Sequence, residues 1–173
     1  AEVAVTLNRT QLDYTGNPTA PVITALSIDE AAVASLENLE IKYYKKTGAD
    51  TYTAIDAEQV RNAGDYALTL KAAELQDQYS GESDKFDFTI NPGELSITLT
   101  NATTVYGDPD PTIVEYTWDD VNQLRGADDV NNVVITLAFS ETPRAAGEAV
   151  NTTTGYAYNA ITATTPNYDI TVS

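Results

Sequence analysis

The sequence contains no cysteine, no histidine and no methionine. Without cysteine there is no disulfide, no reactive thiol and no thiolate metal site. Without histidine there is no Ser-His-Asp triad, no Cys-His pair and no imidazole metal cage. Basic residues are also scarce: nine Lys and Arg face 26 Asp and Glu, for a formal charge of −17. Nucleic acid and anionic lipid both need clustered Lys and Arg, so neither is an expected partner. No apolar run approaches the roughly 20 residues of a membrane span, and membrane insertion is not expected. No phosphate-binding loop, dinucleotide-binding motif or nucleophile elbow is present. Catalysis is not expected. A carboxylate-pair hydrolase would need a deep cleft, which small modules seldom offer.

What is present reads as β-structure. Apolar residues make up 42% of 173 residues, enough for one ordinary domain or two small ones. Val3, Val5 and Leu7 alternate with small or polar residues, as do Leu95, Ile97 and Leu99. Period two puts each apolar set on one face of a sheet. Tyr66, Leu68 and Leu70 repeat the pattern, and so do Phe86, Phe88 and Ile90. The stretches 39–45 and 133–139 read as more buried strands. Asn17-Pro18, Gly48, Gly64, Gly81, Asp108-Pro109, Asp110-Pro111, Gly126 and Gly155 punctuate these runs. Two stretches, 29–39 and 119–129, are candidates for short helices. The expected class is mainly β: immunoglobulin-like β-sandwich modules with at most one short helix each. A β-grasp arrangement is the alternative.

The chain repeats itself. At an offset of 92, Glu2 falls on Glu94, Val5 on Ile97, Leu7 on Leu99 and Tyr14 on Tyr106. Ala63-Gly64-Asp65 corresponds to Ala146-Gly147-Glu148, and the closing segment 86–90 to 167–172. The same order of three matches predicts a duplicated module, residues 1–92 and then 93–173. Asn91-Pro92-Gly93 marks the boundary, and the absence of a Gly/Ser linker predicts a semi-rigid pair.

The residues Tyr106-Gly107-Asp108-Pro109 and Asn167-Tyr168-Asp169-Ile170 resemble the bacterial MBG and related immunoglobulin-like repeat families. Tyr14-Thr15-Gly16-Asn17-Pro18 and Ala63-Gly64-Asp65-Tyr66 follow a sister pattern in the first module. Gly147-Glu148-Ala149 departs from it. The resemblance implies repeat modules of surface proteins and adhesins and carries over no catalytic residue. The corner has its own physical sense. Gly16 and Gly107 can take a positive φ, the following prolines fix the exit direction, and the tyrosines cover the end of the core.

Candidate sites are few. No cofactor is expected. Calcium is the best candidate ion, since hard cations want several oxygen ligands. Its candidate ligands are Asp108 and Asp110 in one loop, then Asp119 and Asp120, with Asp128 and Asp129 further along. None has EF-hand spacing, and solvated turns capped by Asp are the competing reading. Trp118, the single tryptophan, is the candidate ligand-stacking residue, and Tyr43-Tyr44 on a strand must turn one ring outward unless it is covered; core or interface packing is the competing reading. No lysine follows Lys85, so a Lys–Asn crosslink is excluded from the second module.

These features predict non-catalytic tandem modules of a secreted or cell-surface protein, monomeric, acting as a semi-rigid spacer or stalk of an adhesin. Their partners would be neighbouring modules of a longer parent. The alternative is an adhesion module that binds host glycan or protein through exposed aromatics and loops.

Overall fold

The computed structural model describes residues 3–33, 39–72, 82–100, 115–139 and 161–173. The chain is mainly β and builds several sheets, as a sandwich class requires. It divides into two compact units, Ala1–Gly93 and Glu94–Ser173.

The first unit contains strands β1 (Val3–Leu7), β2 (Gln11–Asp13), β3 (Ile23–Ile28), β4 (Ala31–Ala32), β5 (Leu39–Lys46), β6 (Tyr52–Ile55), β7 (Gly64–Ala72) and β8 (Phe86–Asn91). They form one sheet in the order β1-β3-β4 and another in the order β2-β8-β7-β5-β6. The N-terminal segment is thus shared between sheets. β1 pairs antiparallel with β3, while β2 pairs parallel with the last strand, β8.

Alternation decides the faces. β5 and β8 both pair with β7, placing Tyr43 opposite Leu68, Ile41 opposite Leu70 and Phe88 opposite Tyr66. The apolar set of all three strands therefore shares one face. Leu68, Phe88 and Ile90 are almost fully buried there, and Leu26 and Ile28 of β3 are buried too. Tyr66 stacks on Phe88 with ring centroids 5.6 Å apart, and its hydroxyl donates to the Asn62 carbonyl at 2.7 Å. A tyrosine at the start of a strand that bonds back a few residues upstream is a corner known from immunoglobulin-like sandwiches.

The Tyr14 corner is built as its residues predict. Tyr14 is buried, its N–H donates to the Asn91 carbonyl at 3.0 Å, and Gly16 has φ 72°. Arg61 donates to the Gly16 carbonyl at 2.9 Å, closing the corner from the other side. The equivalent residues Tyr106 and Gly107 lie outside the described residues.

Residues 29–33 do not begin a helix. Ile28 pairs with Ala31, so Asp29 and Glu30 form a two-residue hairpin loop, with φ 47° and 67°. Two left-handed residues in succession match the twist of the flanking strands. The tertiary pairing of β4 with β3 overrides the local helix signal of the acidic pair. In the 119–129 stretch, one 3-10 turn forms at Val121–Gln123, and Gly126 takes φ 62°.

The second unit contains β9 (Gly93–Leu99), β10 (Tyr116–Trp118), β11 (Thr136–Phe139), β12 (Ile161–Thr164) and β13 (Tyr168–Val172). β9 lies between β10 and β13, and β11 pairs with β12. β11 is shorter than the 133–139 run, and Val134 stays 72% exposed while Ile135 is buried. Leu95 and Ile97 are the most deeply buried residues of β9. The two units share a register. Adding 92 to the Val5–Leu26 pair gives Ile97–Trp118, and adding 92 to Thr6–Ala25 gives Thr98–Thr117; both are also partners.

Ile97 is fully buried and stands opposite Trp118. Truncating it to alanine should therefore destabilise the second unit by about 2–5 kcal/mol. Urea unfolding followed by fluorescence of Trp118, the single tryptophan, measures this directly. An unchanged midpoint would show that β9 is not the centre of that core.

Candidate functional site

The richest side-chain cluster in the described residues lies on the outer face of the five-stranded sheet, where β5, β6, β7 and β8 point away from the apolar core. Lys42, Tyr44 and Lys46 alternate along β5 and stand opposite Thr69, Ala67 and Tyr52 respectively. Asp87 of β8 stands opposite Ala67 on the other side. Ala67 and Thr69 are nevertheless buried, at 0% and 2% exposure. The long side chains around them form a second cover over β7, laying their stems on the sheet and their charged heads outward.

Glu82 organises one end of this cover. It precedes β8 and is set in place by Ser83, whose N–H donates to the Leu70 carbonyl and whose Oγ accepts from the Leu70 N–H, both at 2.9 Å. The Glu82 carboxylate accepts from the Thr69 hydroxyl, from Tyr44 at 2.5 Å and from Lys42 at 3.2 Å. Chiefly the Thr69 bond, then the Tyr44 bond, with Lys42 adding to both, pull its carboxyl from 4.5 down to about 2. The same carboxylate raises Lys42 above its ordinary range.

Asp87 organises the other end. It accepts from Lys46 at 2.5 Å and from the Tyr52 hydroxyl at 3.0 Å. Its hydrogen bond raises Lys46 above the ordinary lysine range. The Lys85 ammonium lies 5.0 Å from the Tyr44 ring centroid and 5.2 Å from that of Tyr52.

Lys45 belongs to the opposite, core-facing side. Its ammonium lies 4.0 Å from the Tyr66 ring centroid and donates to the Ala63 carbonyl at 3.4 Å. Burial lowers its pKa, and Asp65 partly opposes that shift. Gly64 leaves the space it fills: with φ 135°, a Cβ there would come within 2.4 Å of Lys45 Nζ.

The residues singled out for calcium are dispersed in role. Asp108 and Asp110 lie outside the described residues. Asp119 accepts from the Thr98 hydroxyl at 2.6 Å, and Asp120 caps the 3-10 turn by accepting from the Asn122 N–H at 2.9 Å. Asp128 accepts from the Tyr168 hydroxyl at 2.6 Å, and Asp129 accepts from the Asn131 N–H at 2.7 Å. Among the described residues no group of three or more acidic side chains is placed to hold a metal ion. Trp118 is half-buried, packs edge-on against Tyr116 at 5.7 Å, and occupies the register position of the core residue Leu26.

Sequence reasoning reached one member of the outer-face cluster, since Tyr43-Tyr44 on a strand must turn one ring outward, but not its lysines and carboxylates as a group. Its only local signal is the run Lys42-Tyr43-Tyr44-Lys45-Lys46, in which alternation sends Lys42, Tyr44 and Lys46 to one face. The carboxylates that complete it come from about 40 residues further along.

Among the described residues both units are built of strands, and their carboxylates serve as caps and clamps of the fold. Residues 95–173 match the family model of the MBG domain (YGX type), a span that takes in the second unit almost end to end. The MBG resemblance carried by Tyr106-Gly107 and Asn167-Tyr168 holds for this unit, and MBG repeats are a non-enzymatic module family found in surface proteins. No curated protein and no solved structure matches the chain.

The pKa of Glu82 has a testable consequence. Its folded value of about 2 lies below 4.5, so its contribution to stability is present above pH 4.5 and is lost as pH falls toward 2. Glu82→Gln should lower the stability of the first unit near neutrality. The gap between variant and wild type should close as the pH is lowered through that window. Urea midpoints by circular dichroism at several pH values measure the gap, and a gap independent of pH would contradict the clamp.

Proposed function

We propose that the chain is a pair of non-catalytic repeat modules serving as a semi-rigid spacer in a secreted or cell-surface protein. The observation that carries this reading is the MBG match over residues 95–173, joined to the shared register of Val5–Leu26 and Ile97–Trp118. Two further features support it. Pro92 alone separates β8 from β9, and a connection of one ring-constrained residue leaves little freedom for a hinge. The carboxylates of Glu82, Asp87, Asp119, Asp120 and Asp128 are engaged by donors of the fold itself.

On this reading the partners are neighbouring modules of a longer chain, and the strong negative charge keeps a monomeric stalk soluble. Stiffness is then the working property. Each unit has its own core.

Small-angle scattering tests it. The wild-type chain should give an elongated particle with a narrow distribution of dimensions. A flexible Gly/Ser insert of about ten residues after Pro92 should broaden that distribution markedly. A compact wild-type particle, or one indistinguishable from the insertion variant, would overturn the spacer reading.

A further inference from the structure

The outer-face cluster holds a feature that a spacer does not require. Tyr44 on β5 and Tyr52 on β6 lie on the same side of the sheet, since Lys46 stands opposite Tyr52 and Tyr44 is two residues before Lys46. Each phenol donates its proton to a carboxylate: Tyr44 to Glu82 at 2.5 Å, Tyr52 to Asp87 at 3.0 Å. Donation to an anion shifts electron density back into the ring and strengthens its negative face. A cation already sits there. The Lys85 ammonium lies 5.0 Å and 5.2 Å from the two ring centroids, within the range of cation–π attraction, while Lys46, held by Asp87, also reaches the Tyr52 ring at 5.6 Å.

Lys85 is distinct among the lysines of this face. Lys42, Lys46 and Lys71 each pair with a carboxylate, at 3.2, 2.5 and 3.8 Å. Lys85 makes no such ion pair among the described residues, and it is exposed at the start of β8. Two aromatic walls backed by two carboxylates form the constellation that recognises organic ammonium groups. A primary ammonium is a compact, strongly hydrated charge on a flexible stem. A methylated ammonium sheds water more readily and offers methyl groups to both rings, so it is the better match for the walls.

We propose that Tyr44 and Tyr52 form a two-walled binding site for a methylated ammonium group, with Glu82 and Asp87 polarising the walls and Lys85 as the resident occupant that a ligand displaces. The site stands apart from the spacer reading, since it lies wholly within the first unit and needs no particular junction. Lys85 acts as an internal competitor. The apparent affinity of any external cation is reduced by the fraction of time that Lys85 fills the site. The same arrangement keeps the rings covered in the absence of ligand.

The experiment uses the whole chain and its Lys85→Ala variant, titrated with choline, with free trimethyl-lysine and, at matched ionic strength, with potassium chloride. The readout is the chemical shift of the Tyr44 and Tyr52 ring protons. Lys85→Ala should bind choline or trimethyl-lysine saturably and at least about fivefold more tightly than the wild type. Tyr44→Leu or Tyr52→Leu in the Lys85→Ala background should abolish the response. Binding of both probes supports recognition of the shared trimethylammonium, and binding of one alone supports the site while naming the source. Lys85→Gln, which keeps a long stem, serves as a second variant should the alanine change disturb the fold. No saturable shift in either variant would overturn the proposal. So would an equal response to potassium, or a response that survives loss of the rings.

Discussion

The first unit depends on β7 being buried from both sides. Its residues Tyr66 to Leu70 are all nearly inaccessible, which a strand in a two-layer fold reaches only if each face has its own cover. One face is apolar, with Tyr66, Leu68 and Leu70 beside Phe88 and Ile90 of the neighbouring β8, all buried. On the other the cover is a layer of lysine, tyrosine and carboxylate side chains tied together by hydrogen bonds. Burial of Thr69 is tolerable only because its hydroxyl reaches Glu82, since an unpaired hydroxyl there would cost about 1–3 kcal/mol. The same bond, with those from Tyr44 and Lys42, fixes Glu82 as an anion at the sheet surface.

The second unit uses its polar groups in a similar economy. Tyr168 is buried, its hydroxyl donates to Asp128 and accepts from the Arg125 N–H at 3.0 Å. One phenol thereby holds the 125–128 loop against β13. Asp120 and Asp129 satisfy backbone donors of their own turns, the behaviour that makes aspartate common in such places. The acidity of the chain is thus partly structural, with individual carboxylates absorbed as caps. Among the described residues, Asp119, Asp120, Asp128 and Asp129 each meet a donor of the fold in this way.

Much of the architecture was legible from alternation. The runs at Val3–Leu7, Gly64–Ala72, Phe86–Asn91 and Gly93–Leu99 are strands because period two fits only a sheet with one apolar face. Gly16 takes the positive φ its place after Tyr14-Thr15 suggested. The Asp29–Glu30 segment was misread as a helix start, because an acidic pair before small residues signals a first turn and a hairpin loop equally well. Only the pairing of Ala31 with Ile28 distinguishes them. Trp118 stood out in sequence by its rarity, but its partner Ile97 and its equivalence to Leu26 make it part of the strand pairing.

The sequence by itself determined the β class, the offset of 92 that relates the opening strands, the corner residues and the exclusion of thiol and imidazole chemistry. These depend on local periodicity, backbone geometry and residue inventory, all of which are carried by short stretches of chain. Tertiary structure alone decided which carboxylate serves which donor and where the cationic side chains gather. Glu82 meets Lys42, Tyr44 and Thr69 only because β5 and β7 are neighbours in the sheet and Ser83 bonds to the end of β7. Lys85 meets Tyr44 and Tyr52 for the same reason. Those encounters join residues 13 to 41 positions apart, and no local pattern records a partner that sheet order supplies.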